Sequence, residues 1–123
     1  MQQSINKISQ LVAELKTLPA ISKENQQKLD KKFRLEFNYN SNHIEGNTLT
    51  YGETAMLLFF DKTEGIHELR EFEEMKAHDV AYKVIQEWAK DTEHPLTEAY
   101  IKQLNQLILV RPFWKEAITE DGQ

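Results

Sequence analysis

The chain has 123 residues, 28% of them charged, a net charge of −5 and no cysteine. That length holds one domain with a modest core, and the mixed composition belongs to a folded chain rather than a disordered one. Disulfides and thiolate metal sites are excluded, and the acidic balance argues against a nucleic-acid binder, which needs clustered Lys and Arg. The one basic knot, Lys31-Lys32-Phe33-Arg34, is soon followed by acidic residues and reads as a solvated helix face. No run approaches the roughly 18 apolar residues of a membrane span. The opening Met-Gln-Gln-Ser-Ile-Asn-Lys lacks the apolar core of a signal peptide, so no membrane partner and a cytoplasmic location are expected.

Nearly every segment predicts helix. Ile5, Ile8, Leu11, Leu15 and Leu18 recur at spacings of three and four, the stripe of an amphipathic helix. Pro19 ends it, and Ser22 is placed to cap the next helix. That second helix carries Leu29, Phe33, Phe37 and Ile44 as its expected apolar seam, with Asn40, Ser41 and Glu45 as a neighbouring polar stripe, and ends at Gly46. Thr50-Tyr51-Gly52-Glu53 has the form of a capping box that launches a short helix through Phe60. Residues 48–50 are therefore a tight corner, and Asp61-Lys62-Thr63-Glu64-Gly65 is a loop with a turn glycine.

A long helix follows, with Leu69, Phe72, Met75, Tyr82, Ile85 and Trp88 at helical spacing. An aromatic stripe of that period predicts core, and His78 and Asp79 beside it read as satisfied structural groups. Glu73 and Glu74 are expected on the exposed side. His94-Pro95 breaks the pattern, Thr97 caps the last helix, and Ile101, Leu104 and Ile108 are its expected buried face, with Leu107 adjacent. The fold class is thus all-α, a helical bundle. The four histidines (His43, His67, His78, His94) show none of the spacings of a zinc site.

The stretch Ser41-Asn42-His43-Ile44-Glu45-Gly46-Asn47 carries the strongest functional signal. On a helix, i and i+4 share a face, so Ser41 and Glu45 point the same way. Gly46 can take the left-handed conformation that ends a helix. Glu45 then lies in the last turn, where the macrodipole disfavours a carboxylate, so a cationic partner elsewhere is the functional reading and a solvated surface Glu the plain one.

Ser41-x-x-x-Glu45-Gly46-Asn47, followed by Thr48-Leu49-Thr50 and Glu53, resembles the inhibitory helix of Fic-domain proteins, which carries Ser/Thr-x-x-x-Glu-Gly/Asn. The similarity continues from Glu71 to Trp88 and through Leu-Thr-Glu-Ala-Tyr-Ile-Lys-Gln-Leu-Asn at 96–105, which resembles the helix opening the Fic core. Residues 1–60 would then be N-terminal helices including the inhibitory helix, and 61–123 the start of a truncated Fic-like core, in one compact unit. Fic enzymes carry a His-Pro-Phe-x-x-Gly-Asn-Gly-Arg-type loop. Here Arg111-Pro112-Phe113 shares two of its letters, but Trp114-Lys115-Glu116-Ala117 follows. With neither the general-base His nor the glycine-rich anion cradle, this chain by itself is expected to be inactive and to bind no cofactor.

The resemblance implies the regulatory N-terminal portion of a protein adenylyltransferase, which transfers AMP from ATP to a protein hydroxyl. ATP and magnesium are expected for the intact parent. Glu45 is the implied inhibitory residue, with Ser41, Gly46 and Asn47 completing its motif. The implied partners are the remainder of the Fic core and the protein that receives AMP. Uncovered apolar surface would favour a homo-oligomer. Two other readings share the motif: a free-standing antitoxin supplying Glu45 in trans to a Fic toxin, and a helical protein-interaction domain.

Overall fold

The computed structural model describes residues 1–109, so the stretch at 111–117 and the acidic end at 119–123 lie outside the described residues. Five helices follow in order: α1 Gln2–Thr17, α2 Lys23–Ile44, α3 Tyr51–Phe60, α4 Leu69–Lys90 and α5 Glu98–Leu109. No strand occurs among the described residues, which bears out the all-α class. Two compact units divide the chain, one over Met1–Asp30 and one from Lys31 onward.

In the first unit, α1 stops where Leu18 turns extended ahead of Pro19, because a residue before proline is driven out of the helical region. The Ser22 hydroxyl then accepts from the Asn25 N–H at 3.2 Å and caps the start of α2. None of the α1 residues is buried.

In the second unit the core is built by Leu49, Leu57, Leu58, Phe72 and Met75. Leu49 belongs to the corner after α2, so the corner is plugged into the core by its own side chain. The capping box launches α3 as expected. The Thr50 hydroxyl accepts from the Glu53 N–H, and the Glu53 carboxylate returns to the Thr50 N–H at 2.8 Å. Helix α4 packs against α3 and α5, and Trp88 stacks on Tyr100 with ring centroids 4.4 Å apart. Thr97 caps α5 through the Tyr100 N–H at 3.3 Å.

The buried face of α2 departs from the expected seam. Leu29, Phe33, Phe37 and Ile44 are exposed, and Leu35, Asn38 and Asn42 are buried instead. The reason is a polar layer against α4. Arg34 makes a bidentate pair with Asp79, Nε to Oδ1 at 2.8 Å and Nη2 to Oδ2 at 2.7 Å, and also donates to the Leu58 carbonyl. Asn38, with no exposed surface, donates to the Arg34 carbonyl and to Asp79 Oδ1 and accepts from His78 Nδ1 at 2.6 Å. Asn42 donates to the Asn38 carbonyl and to the Met75 sulfur. Apolar spacing could not see this layer, and the supposed solvated knot at 31–34 contains its central cation. Phe33 and Phe37 stack on each other at 5.8 Å and lean on Tyr82, forming an aromatic cluster open to solvent on one side.

Elsewhere the apolar stripes are buried only in part. Phe72, Met75 and Tyr82 of α4 are buried as expected, but Leu69 and Ile85 are exposed. On α5, Leu104 and Leu107 are half-buried, while Ile101 and Ile108 are exposed. Helices α2, α3 and α5 each cover one part of α4, which leaves the flanks of its stripe and of α5 without cover among the described residues.

The polar layer makes stability depend on pH. Burial lowers the His78 pKa, against the pull of Asp79. The unfolded chain therefore takes up a proton before the folded one does, and stability declines as pH falls below about 6.5. Burial acts to raise the Asp79 pKa, but the Arg34 bond and charge and Lys83 outweigh it and leave it lowered. Glu71 is lowered by the Thr48 hydroxyl and N–H. These carboxylates stabilise the fold above their ordinary range, and the contribution disappears as pH falls from about 4.5. Thermal melts followed by circular dichroism should show two successive losses, one from pH 6.5 downward and one below 4.5 (ordinary imidazole and carboxylate ranges). His78→Gln, which keeps a donor for Asn38, should flatten the first loss alone. Arg34→Met should cost about 3 kcal/mol at pH 7 by leaving Asp79 buried without its guanidinium.

Candidate functional site

The motif at 41–47 forms the end of α2, and its local chemistry dictates the geometry. Helix α2 stops at Ile44. The Gly46 N–H returns to the His43 carbonyl at 3.1 Å, and the Asn47 N–H to the Asn42 carbonyl at 2.9 Å. These two bonds are the 5→2 and 6→1 pair of a Schellman motif. Gly46 has φ +95°, a left-handed value that a side chain would strain. Glu45 is thus the C-cap residue itself, one position beyond the last helical turn. Its side chain is exposed.

The Glu45 carboxylate makes no hydrogen bond or ion pair among the described residues, and neither does the half-buried Ser41 hydroxyl. Both lie on a stiff element. Tyr39 stacks on His43 at 5.5 Å and meets the edge of Tyr51, the first residue of α3, at the same distance. Asn47 is buried and donates through Nδ2 to the Glu71 carbonyl at 2.9 Å, while its Oδ1 accepts from the Leu49 N–H. The motif therefore splits by role. Asn42 and Asn47 face inward and anchor the turn, Gly46 makes the turn possible, and Glu45 is left pointing out with a free charge.

Beyond the turn lies a cluster that apolar spacing did not reveal. The Glu71 carboxylate is buried and its Oε1 accepts from the Thr48 N–H at 2.8 Å and the Thr48 hydroxyl at 2.7 Å. Its Oε2 accepts from the Glu68 N–H at 3.1 Å, at the start of α4. His67 sits between two acids, with Nε2 2.9 Å from Glu53 Oε1 and Nδ1 3.7 Å from Glu71 Oε2. Glu53 is held below the usual carboxylate range by the Thr50 N–H and by His67. The bonds of Glu53 and Thr48 to His67 and Glu71 join residues 14 to 23 apart in sequence. The only local hints were the capping box at Glu53 and the i,i+4 spacing of His67 and Glu71.

A groove of about 580 Å³ runs between α3, α4 and α5, lined by Leu57, Leu69, Phe72, Val80 and Leu107. Glu73 also lines it. Contrary to expectation its Oε2 is buried, and it has no hydrogen-bond partner among the described residues. No group of three or more His, Asp or Glu side chains among the described residues is arranged to hold a metal ion. No helix among them is long and apolar enough to cross a membrane.

No protein-family model matches the chain, and no curated protein matches it. Among solved structures, the chain is similar to a Fic domain-containing signaling protein from Bacteroides thetaiotaomicron VPI-5482, with 50% identity and a TM-score of 0.79. The match covers 87% of this chain and 40% of that one, so this chain spans well under half the length of its relative. Over most of its length the chain thus shares the helical arrangement, and over the aligned residues half of the sequence, with part of a Fic domain-containing protein, as a partial Fic chain would.

Proposed function

We propose that this chain is the regulatory N-terminal portion of a Fic-type protein adenylyltransferase, and that Glu45 holds the enzyme in its inactive state. The observation that carries this reading is the exposed Glu45 carboxylate, without a partner among the described residues, on a helix end whose other polar groups are anchored. In Fic proteins with this motif, the Glu pairs with an arginine of the catalytic loop that would otherwise hold the γ-phosphate of ATP. A bidentate carboxylate satisfies the guanidinium and occupies its site with the wrong anion. The nucleotide is then misaligned for attack by the target hydroxyl.

Charge-assisted bonds of about 1.5–3 kcal/mol each are strong enough to suppress the competent state by one to two orders of magnitude. The described residues offer neither a glycine-rich phosphate cradle nor a metal-ligand group. On this reading ATP and magnesium would be held by the remainder of the fold. Because the Bacteroides relative carries the matching region within one longer chain, inhibition in cis is favoured over an antitoxin acting in trans.

Two outcomes check this reading. Incubated with labelled ATP, magnesium and candidate proteins, the 123-residue chain should transfer no AMP, and robust labelling would mean that an active site resides within it. In the parent protein, Glu45→Gln keeps the side chain's shape and removes its charge. It should raise AMP transfer, self-modification included, about 10- to 100-fold, equivalent to about 1.4–2.8 kcal/mol of lost inhibition. Glu45→Gly should activate too, while also loosening the helix end by up to about 1 kcal/mol. An unchanged rate in both variants would remove Glu45 from its inhibitory role.

A further inference from the structure

His67 lies in the loop between α3 and α4, its side chain 10% exposed, and touches three separate elements. Glu53 comes from α3, Glu71 from α4 and Thr48 from the corner that leaves the Glu45 turn. An ionised carboxylate only accepts, so Nε2 donates to Glu53, while Nδ1 meets the Thr48 hydroxyl at 2.9 Å. The edge of the Phe72 ring, 5.6 Å away, closes the remaining side.

The loop is shaped to deliver this imidazole. Gly65 has φ +84°, and a Cβ there would stand 1.7 Å from Glu53 Oε2 and 2.8 Å from His67 Nε2. The backbone thus passes directly over the Glu53–His67 contact, where no side chain fits. Ile66, between the two, is wholly exposed at 103%. One residue of the loop is driven into solvent and the next is locked inside.

Thr48 is the third residue after Glu45, and its N–H and hydroxyl are both held by Glu71. Asn47, one residue closer, hangs on the Glu71 carbonyl. Loss of the His67 ring would free one side of the Thr48 hydroxyl and leave Glu53 without its imidazole donor. The corner that fixes the Schellman turn would then be held at fewer points. A turn held at fewer points samples more orientations of Glu45, and a charged pair that requires one orientation weakens.

We propose that His67 is a positioning residue for Glu45, holding the corner that follows the Glu45 turn through the Thr48 hydroxyl. The proposal rests on the reading of Glu45 as the inhibitory group. In the parent protein, His67→Ala should speed amide exchange of Gly46, Asn47 and Thr48 about tenfold and raise AMP transfer three- to tenfold. It should add nothing when combined with Glu45→Gln, because the group it positions is then gone. Thr48→Val should behave like His67→Ala, whereas Thr48→Ser, which keeps the hydroxyl, should match the unmodified protein. Gly65→Ala should reproduce the activation by pushing the loop off, with every hydrogen-bonding group still present.

Leu57→Ala, a core truncation away from the cluster, should lower the melting temperature without raising AMP transfer. If Glu45→Gln activates while His67→Ala, Thr48→Val and Gly65→Ala change neither exchange nor rate, the positioning role is overturned and the inhibitory reading stands. Further activation by His67→Ala on the Glu45→Gln background would overturn it as well. A Glu45→Gln protein with unchanged activity would defeat the inhibitory reading, and the positioning role with it.

Discussion

The Glu71 carboxylate is the constraint around which the functional end of this molecule is organised. It is a buried negative charge, and burial is tolerable only because both oxygens are fully engaged. One oxygen holds the backbone and hydroxyl of Thr48 and the other the first turn of α4. A single side chain therefore joins the exit of α2 to the entrance of α4. Without it, the Thr48 N–H and hydroxyl and the Glu68 N–H would lose their acceptor at part-buried positions, at about 0.5–1.5 kcal/mol each. The corner from Asn47 to Leu49 is short because that carboxylate folds it back, and Leu49 then drops into the core beside Met75 and Phe72.

The second unit has a divided interior. Between α3 and α4 it is conventional hydrocarbon, five residues of Leu, Met and Phe. Between α2 and α4 it is polar, with Arg34, Asn38 and Asn42 spaced by four along one face of α2 and met by Asp79, His78 and Met75 of α4. Apolar packing tolerates sliding, whereas a bidentate pair with an amide threaded beside it has one register. The polar layer therefore sets where α2 ends relative to α4, and hence where the Glu45 turn sits above Glu71.

What was legible in the sequence divides along the same line. Helix starts and stops were written locally. Pro19, Ser22, the Thr50–Glu53 box, Thr97 and Gly46 each act through bonds spanning a few residues, and each acts as expected. The inward face of α2 was not legible, because its seam was sought among Phe33, Phe37 and Ile44, and periodicity weighs apolar residues only. Asn38 and Asn42 repeat at the same spacing, but an asparagine announces burial only when its partners are known, and they lie 33 to 41 residues away. The His67 cluster was hidden for the same reason. The Ser41–Glu45–Gly46 motif stood out because its elements are adjacent, although the inward roles of Asn42 and Asn47 emerged only with the fold.

On the proposed reading, the placement of Glu45 bears on how an inhibitory carboxylate can be both strong and removable. At a helix C-terminus the macrodipole acts against a negative charge by a few tenths of a kcal/mol, and Glu45 has no compensating cation among the described residues. The group is poised against its own helix, so a guanidinium arriving there gains the pair and relieves the dipole at once. The backbone beneath it is already ordered by the Gly46 and Asn47 bonds, so little conformational entropy remains to be lost on pairing. The same arrangement places the means of release elsewhere. The carboxylate has no anchor of its own, and its orientation is inherited from Asn47 and Thr48. A change acting on those two residues would move Glu45 without touching either partner of the proposed pair.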